Sequence, residues 1–564
     1  MTVQAIRVRM SMLALACVFV MPLTAGAEPY TSANRDVLSP NTGGWPVGGV
    51  QIGGTHFTNL GLQGVGRVAA NRVDPSSGET LGSISDMQIT GWTRNANGSY
   101  SGLFSFLPDR GYNSGSTFSN YAARINEFDF TFTPYTSPAT TTTQNQIAMT
   151  FKGSTRFTYD HDGNPATAPV ATTGLLAAAP PNNGSLFGQE VPVALGNTTI
   201  AGVTIANRLT FDAEGLAFDR RPGKAGSGWV GDEYGANIYH FNPNKEIDGV
   251  ITLPAAMVPH SPAGATNFRA DPPATGRRIN QGFEGVAVSP DGNTLYGLLQ
   301  SATIQDSGSG NPGRSNTRLV VYDVSNTDTP ATVLHEYVIQ LPRVDDNGGT
   351  VAVNRTAAQS AIIAINEHQL LILSRDGNGR GASSSPVFKS VLLAELNGAT
   401  DIKGMFDAEG NAVAPGGTLN PTVTPIAWTE ALNMLGKLDV SVTELEQFGL
   451  NLNAAPGDLN TLSEKWEAMA LVSALDPNAP NDFFLFIGND NDFLTQSGKL
   501  LDASGVLQNY DAGLENDTML LAFRVSVVPE PATWLLLTAG LAVALGFGRR
   551  RHGAWRRTAP GFCG

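Results

Sequence analysis

Acidic residues that stand before short apolar runs are the groups in this sequence best suited to chemistry. The sequence Glu-Gly-Leu-Ala at Glu214–Ala217 returns as Glu-Gly-Val-Ala at Glu284–Ala287 and, in a looser form, as Glu-Ala-Met-Ala at Glu467–Ala470. Each copy opens an apolar run, which is followed by a polar turn and a second apolar run. A carboxylate that recurs at the head of an inner strand indicates a shared acidic site as well as a repeated fold unit.

Other acids and arginines lie at predicted strand ends and turns. Because side chains i and i+2 share one face of a strand, Asp212 and Glu214 are expected to point the same way. Carboxylates that converge raise one another's pKa unless a cation or an arginine lies between them. Oxygen ligands without His or Cys favour calcium or magnesium over zinc, and neighbouring arginines suit a phosphate or a carboxylate. The candidates are Asp86, Asp109, Asp212, Glu214, Asp232, Glu233, Glu284, Glu467, Asp490 and Asp492, together with Arg110, Arg277, Arg278, Arg318 and Arg375.

A purely structural role for these acids stays open at this point, because a Glu before a small residue can cap backbone N–H groups or pair with an arginine. Three other acidic segments are predicted to be turns outside the site. Asp160–Asn164 begins like an EF-hand loop, but Ala171 stands where the bidentate Glu is expected. Asp376–Gly379 predicts a hairpin turn, and no strand follows Asp407–Gly410.

The common enzyme signatures are absent from the sequence. It contains no Gly-x-Ser-x-Gly elbow, no His-Glu-x-x-His pair and no phosphate-binding Gly-x-x-x-x-Gly-Lys. A Ser-His-Asp triad stays open, since its members need not be close in sequence. The two cysteines, Cys17 and Cys563, lie near the chain ends, so the body has no thiol-based zinc site.

The elements that must position the acids are predicted to be strands. With 63 Gly, 34 Pro and only 15% charged residues in 564, the chain is turn-dense. Five meanders of three or four short strands recur, with room for a sixth from Val47 to Val68 or from Phe151 to Leu209. Radially repeated antiparallel sheets predict an all-β fold, a β-propeller of about five to six blades. A β-sandwich or two stacked β domains is the alternative.

One segment breaks the strand pattern. Leu432, Leu435 and Leu438 recur at helical spacing between Trp428 and Leu450. This spacing predicts a short helical insertion there.

The N-terminal residues 1–27 predict a secretory signal peptide. Arg7 and Arg9 precede an apolar run from Met10 to Val20, and a small-residue cleavage site ends at Ala27. A permanent N-terminal anchor is the alternative, but the apolar run is too short to span a membrane.

The C-terminal residues 528–564 contain Pro529-Glu530-Pro531, an uncharged run over 532–548 and a basic cluster at Arg549–Arg551. This order resembles the bacterial PEP-CTERM sorting signal. The resemblance implies a Gram-negative exporter, a transmembrane helix that serves as a transient inner-membrane anchor, and processing by an exosortase-type enzyme. The mature protein would then lie at the cell surface or in the extracellular matrix. A plain tail anchor without processing is the alternative.

The body over residues 28–527 is strongly acidic. Without the seven basic residues and one acidic residue of the two ends, the formal charge falls from −14 to about −20. This charge argues against nucleic acid as a partner, because phosphates need a basic face. It is compatible with cation binding or simply with solubility.

Five short segments, in this order, resemble the secreted phytase-like propellers known for "esterase-like activity of phytase": Asp109–Gly111, Asp212–Gly215, Gly231–Glu233, Asn280–Ala287 and Asp490–Asp492. The resemblance runs from about Val47 to Phe523. It implies a β-propeller, a phosphoester substrate and calcium dependence. The chain departs from the family pattern at Gln300, Ser374 and Ala468, so that two carboxylates are missing.

The sequence therefore predicts an exported phytase-like propeller that acts as a metal-assisted phosphoesterase or esterase on an extracellular or periplasmic phosphoester, with calcium as the metal. A phosphorylated small molecule or an extracellular polymer is the expected partner. Glu214, Glu284, Glu467, Asp109 and Arg110 are the predicted catalytic residues, and Arg110, Arg318 and Arg375 are predicted to bind the substrate. The predicted metal ligands are Asp212, Glu214, Asp232, Glu233, Glu284, Asp490 and Asp492. The alternative, favoured by Gln300 and Ser374, is a non-catalytic β-propeller that binds polysaccharide or a partner protein in the extracellular matrix.

Overall fold

The computed structural model describes residues 36–37, 48–114, 117–164, 167–200, 203–269, 273–346, 352–436, 443–452 and 457–529. Within these ranges the chain is all-β, as the sequence predicts. Helical structure in them is confined to three single-turn 3-10 helices, at Asn311–Arg314, Pro415–Gly417 and Glu446–Phe448.

Five sheets make up most of the described chain, and they are antiparallel except for one parallel pair in sheet 2, where Thr158–Tyr159 lies beside Glu246–Val250. Sheet 1 has strands Asp86–Arg94, Tyr100–Leu107, Arg124–Phe132 and Ile147–Arg156. Sheet 2 has Ala213–Phe218, Gly228–Asp232, Ile238–Phe241 and Glu246–Val250, extended by Thr158–Tyr159 and Val170–Ala171. Sheet 3 has Phe283–Val288, Thr294–Leu299, Asn316–Asp323 and His335–Gln340. Sheet 4 has Ala358–Ala364, Gln369–Arg375, Lys389–Glu395 and Ala427–Asn433. Sheet 5 has Lys465–Ser473, Asp482–Asp490, Thr518–Pro529, Thr55–Val68 and Val50–Ile52.

The five sheets form a ring. The first strand of each sheet contacts the first strand of the next, and the first strand of sheet 5 returns to that of sheet 1. An apolar core lies between each pair of neighbours. Between sheets 5 and 1, for example, Phe486 meets the rings of Phe104 and Phe130 edge-on. Such a ring is a propeller-like arrangement, in which packing of sheet on sheet protects the strand edges.

The ring is closed by a strand from the N-terminal part of the chain. Thr55–Val68 pairs with Thr518–Pro529 along almost its whole length. The described part of the segment proposed for a sixth meander, with strands Val50–Ile52 and Thr55–Val68, is therefore part of sheet 5. The second stretch proposed for a sixth meander, Phe151 to Leu209, contributes strands to sheets 1 and 2 and two small hairpins.

The remaining short strands form minor sheets. They are Asn113–Ser114 with Thr117–Phe118, Gly184–Leu186 with Gln189–Val191, Val193–Ile200 with Val203–Leu209, Gly498–Leu501 with Leu507–Tyr510, and a three-stranded group of Asp36–Val37, Arg343–Val344 and Arg355–Thr356.

Two local predictions are wrong. The segment expected to form a helix begins with the outer strand of sheet 4, because Ala427–Asn433 pairs with Lys389–Glu395. In the described part of the segment, helical structure is limited to the 3-10 turn Glu446–Phe448. Leu438 lies outside the described residues. Asp376 begins the long connection 376–388 rather than a tight hairpin turn, and its carboxylate forms a buried ion pair with Lys389 at 2.8 Å.

The predicted signal peptide and C-terminal helix lie outside the described residues. Within the described ranges, no helix is long and apolar enough to cross a membrane.

A buried glutamate anchors the closing strand. Glu444 Oε1 accepts a hydrogen bond from Asn59 Nδ2 at 2.7 Å, and Oε2 accepts one from the Leu62 backbone N–H at 2.9 Å. Burial raises the pKa of Glu444 to about 7 despite these donors. Because this pKa is raised on folding, the contribution to stability is present below the unfolded pKa and is lost as the pH rises through about 7.

We predict that Glu444→Gln flattens the pH dependence of stability. Between about pH 5 and 8, the free energy of unfolding of the wild type should fall on the order of 2 kcal/mol more than that of the variant. Chemical denaturation at a series of pH values measures both slopes. Equal slopes would show that the Glu444 carboxyl group does not titrate in this range in the folded protein.

Candidate functional site

The recurrent glutamates lie at β-bulges. In four of the five sheets, the register between the first and second strands shifts near the start of the first strand. The shifts lie between Ala213 and Leu216, Phe283 and Gly285, Gln359 and Ala361, and Trp466 and Ala468. The residues within these interruptions include Glu214, Glu284, Ser360 and Glu467, all buried. A bulge inserts an extra residue and re-aims its side chain, so the repeated Glu is the residue re-aimed at three of these bulges, and Ser360 stands at the fourth.

The glycine after two of these glutamates allows close packing between neighbouring first strands. A Cβ on Gly215 would lie 2.8 Å from the Glu284 carbonyl oxygen, and one on Gly285 would lie 2.9 Å from Gln359 Oε1. Sheet 5 has Ala468 at the corresponding position. The Glu-Gly pair therefore combines a re-aimed carboxylate with a tight contact between sheets.

The ends of the second strands bring further polar groups to the same level, because the start of one antiparallel strand lies beside the end of its partner. These groups are Asp109 and Arg110 after sheet 1's second strand, Asp232 and Glu233 at sheet 2, Gln300 at sheet 3, Arg375 at sheet 4, and Asp490 with Asp492 at sheet 5.

Eight carboxylates interact at this level, and we call them the acidic cluster. All are buried except Asp492, whose side chain is 33% exposed. The members are Asp109, Asp212, Glu214, Glu233, Glu284, Glu467, Asp490 and Asp492.

Three cationic side chains lie within the acidic cluster. Arg110 Nη1 is 3.0 Å from Asp212 Oδ2, and Arg375 Nη2 pairs with Glu467 Oε1. Lys465 Nζ lies 2.7 Å from Asp492 Oδ1 and 3.5 Å from Asp490 Oδ2. Among the described residues, the other four carboxylates have no ion pair; they are Asp109, Glu214, Glu233 and Glu284.

Two groups of three carboxylates are close enough to hold a cation. Asp109, Asp212 and Glu214 place oxygens within 4.8 Å of one another, and so do Asp109, Asp490 and Asp492. Lys465 already occupies the second group. Near the first, Asp212 Oδ1 and Glu233 Oε1 are buried and accept no hydrogen bond from the described residues. Asp490 Oδ2 of the second group also accepts no hydrogen bond from the described residues, but it lies 3.5 Å from Lys465 Nζ. Carboxylate oxygens without a cationic partner are the ligands that calcium prefers. The first group fits that ion better, because one of its members pairs with a cationic side chain, against two in the second group.

Burial raises the pKa of several members. It raises those of Asp109, Glu214 and Glu233 well above their usual range, and neighbouring carboxylates add to the shift. Burial, reinforced by Glu467, raises the pKa of Glu284 to about 8. For Asp492, the charge of Lys465 and its hydrogen bond outweigh burial and lower the pKa. At neutral pH the cluster therefore retains protons unless a cation replaces them.

The acidic cluster opens on a cavity of about 230 Å³. Its wall includes Glu214, Glu233, Glu284 and Gln300, and also Arg314, Arg355, Arg375 and Lys465. The glutamates are buried, whereas the Arg355 side chain is 48% exposed. Acidic groups thus lie deep in the cavity and a basic group lies near solvent. The volume is below the roughly 300–1,000 Å³ of sites for drug-sized ligands, so the cavity suits a small ligand or one end of a larger one.

Two predicted site residues have other surroundings. Asp232 is fully buried, and its Oδ1 accepts hydrogen bonds from the Asp212 and Tyr234 backbone N–H groups, at 3.2 and 3.0 Å. Arg318 is fully buried between Asp306 and Glu336, at 2.7 and 3.0 Å. The structure therefore brings Arg110 and Arg375, but not Arg318, to the acidic cluster.

Sequence reasoning missed several groups at the site. Lys465 stands two residues before Glu467, and the rule that i and i+2 share a face of a strand would have found it. Ser360 becomes visible only through the strand register, since nothing in Gln-Ser-Ala-Ile resembles Glu-Gly-Val-Ala. Arg314 and Arg355 lie outside the repeated units and carry no sequence signal.

Comparison with known protein families gives two matches. Residues 82–493 match the phytase-like family described as "Esterase-like activity of phytase". Residues 527–551 match the PEP-CTERM protein-sorting motif.

One curated relative and several solved structures are similar to parts of the chain. An uncharacterized secreted protein from Arthroderma benhamiae is 32% identical over 481 residues, which cover 79% of this chain and 89% of the relative. The N-terminal domain of Nup159 is 8% identical, covers 87% of this chain and 98% of its own, and has a TM-score of 0.28. The WD40 domain of Toxoplasma gondii coronin is 7% identical, with 87% and 90% coverage and a TM-score of 0.24.

We predict that Gly215→Ala destabilises the protein, because the new methyl group would meet the Glu284 carbonyl oxygen. The expected loss in the free energy of unfolding is roughly 1–3 kcal/mol. Gly153→Ala is the matched control, since a Cβ there meets nothing within 4 Å. Chemical denaturation compares the two variants. An equal effect at both positions would contradict the close-packing role of Gly215.

Proposed function

The chain belongs to the phytase-like family with "esterase-like activity of phytase", and on that basis we propose that it is an exported, calcium-assisted hydrolase of phosphoesters. The observation that carries the proposal is the Asp109, Asp212 and Glu214 group beside a cavity whose wall also has basic residues. In this group, Asp212 Oδ1 accepts no hydrogen bond from the described residues.

Export is supported by two of the comparisons. The PEP-CTERM motif implies processing by an exosortase-type enzyme, and the relative from Arthroderma benhamiae is described as secreted. We propose a transient inner-membrane anchor through the C-terminal helix that the sequence predicts. Calcium is abundant outside the cytoplasm, where its weaker sites, with dissociation constants of about 10⁻⁴–10⁻³ M, are occupied.

Asp109, Asp212 and Glu214 would hold the calcium ion. Bound there, it would supply charge neutralisation for a phosphate group and a water of lowered pKa. Arg110 fixes Asp212 through its 3.0 Å ion pair. This contact leaves Asp212 Oδ1 free to serve as a ligand.

Glu284 suits the role of proton donor to the leaving alcohol. Its pKa of about 8 keeps a proton on the carboxyl group at neutral pH. Gln300 Nε2 donates a hydrogen bond to Oε1, so the proton belongs on Oε2, which accepts no other hydrogen bond from the described residues. A general acid of this pKa loses its proton, and with it the donor role, above about pH 8.

A non-catalytic binding protein is the second candidate. Gln300 and Ser360 stand at two positions of the ring where other sheets supply carboxylates, and Gln300 already occupies one oxygen of Glu284. A site with fewer free acids favours retention of a ligand over its hydrolysis.

We predict that two variants differ in their effect on calcium binding, although both lower activity. Glu284→Gln should lower kcat for a phosphomonoester by about 100-fold or more, as expected on losing a general acid, while calcium affinity stays unchanged. Glu214→Gln should weaken calcium binding and lower activity through it. Phosphomonoester, phytate and carboxylester hydrolysis, with calcium and with chelator, and calcium titration calorimetry give the two readouts.

Glu190→Gln is the control, because Glu190 is exposed and outside the cluster. Absence of turnover on every substrate, together with a melting temperature that a chelator does not change, would overturn the calcium-assisted hydrolase. Ligand binding without turnover would establish the second candidate.

A further inference from the structure

Two arginines on the cavity wall come from segments that a hydrogen bond holds together. Arg314 ends the 3-10 helix Asn311–Arg314, and Arg355 lies in the short strand Arg355–Thr356. Thr356 Oγ1 donates to the Asn311 carbonyl oxygen at 3.1 Å. Both arginines line the cavity that the acidic cluster opens on, and this hydrogen bond fixes their segments relative to each other.

Arg355 is held by an ion pair at one of its nitrogens and lies partly in solvent. Its Nε lies 2.7 Å from Asp346 Oδ2, while its side chain is 48% exposed. Residue 377 is a glycine, and a Cβ added to it would lie 3.5 Å from Arg355 Nη1. The guanidinium group thus lies over Gly377, on the wall of the cavity and partly exposed to solvent.

Arg314 has no carboxylate partner among the described residues. Its Nε is buried and donates no hydrogen bond to the described residues. Burial, and then the charge of Arg355, lower the pKa of Arg314. Two guanidinium groups that repel each other beside one cavity are stabilised by an anion that accepts from both.

The other basic groups at the site already have acidic partners. Arg110, Arg375 and Lys465 form ion pairs with Asp212, Glu467 and Asp492. They act as internal counter-ions of the acidic cluster. Among the described residues of the cavity wall, Arg314 has no carboxylate partner and Arg355 pairs with Asp346, outside the acidic cluster, so these two remain for the anionic part of a ligand.

We propose that Arg314 and Arg355 form an anion clamp that binds the doubly charged phosphate group of a phosphomonoester. This inference rests on the proposed function of the same cavity. A terminal phosphate offers three oxygens and two negative charges, enough to accept from both arginines. A phosphodiester or a carboxylate carries one charge and is held less tightly, so the clamp selects monoesters.

The test is binding of inorganic phosphate to the purified full chain, measured by titration calorimetry in the absence of calcium. Arg314→Gln and Arg355→Gln are each expected to weaken phosphate binding about tenfold or more, the loss expected for charge-assisted hydrogen bonds. Arg314→Lys should recover part of the affinity, because it restores the charge without the planar fork. Dimethyl phosphate should bind the wild type more weakly than inorganic phosphate.

Arg94→Gln is the control, because Arg94 is exposed and lies at the far end of its strand from Asp86. Phosphate affinity that is unchanged in the Arg314 and Arg355 variants, or absent from the wild type, would overturn the clamp.

Calcium binding and hydrolysis in the same variants separate the clamp from the proposed function. Phosphate binding that depends on both arginines, without any hydrolysis, would leave the clamp in place and remove the hydrolase. Hydrolysis of a monoester with unchanged kcat/KM in both variants would leave the hydrolase in place and remove the clamp.

Discussion

The site is governed by an excess of negative charge where the first strands of five sheets meet. Eight carboxylates lie there, and within the described ranges three cationic side chains pair with them. Removing a carboxylate from water costs several kcal/mol per ion unless a partner compensates for it. The cluster must therefore hold protons, bind a cation or do both, and the raised pKa values of Glu214, Glu233 and Glu284 are the direct consequence.

Such a concentration of like charge is sustained by the packing around it. Five apolar cores, one between each pair of sheets, hold the first strands together against the repulsion. Buried acids also link the sheets directly: Asp86 Oδ2 of sheet 1 accepts from the Leu216 backbone N–H of sheet 2 at 2.6 Å. The closing pair of Thr55–Val68 with Thr518–Pro529 joins the two ends of the ring. Rigid packing of this kind is what lets a site keep destabilising groups in place.

The sequence predicted the repeat but not its geometry. Glu214, Glu284 and Glu467 could be found because each begins a similar four-residue sequence. The alternation of apolar runs and turns indicated antiparallel sheets. Period-2 patterning cannot show a bulge, so the position of Ser360 and the reason for Gly215 needed the strand register. The prediction of a helix was wrong because Leu432 and Leu435 also fit a buried strand followed by a turn. Arg318 was predicted to bind substrate, but it pairs with Asp306 and Glu336. Neither of these acids belongs to the acidic repeats, so the repeats did not indicate this pairing.

Charge is distributed unevenly around the ring, and this asymmetry bears on what the cavity can hold. Sheets 1, 2 and 5 supply seven of the eight acids, and sheet 3 supplies Glu284. Sheet 4 supplies Ser360 and Arg375 instead, and Arg314 and Arg355 come from the connections within sheet 3 and just before sheet 4. One side of the cavity is therefore suited to a cation and the other to an anion. A cation and a phosphate bound together satisfy both sides, because each neutralises the wall it faces and attracts the other, whereas either alone leaves one wall uncompensated.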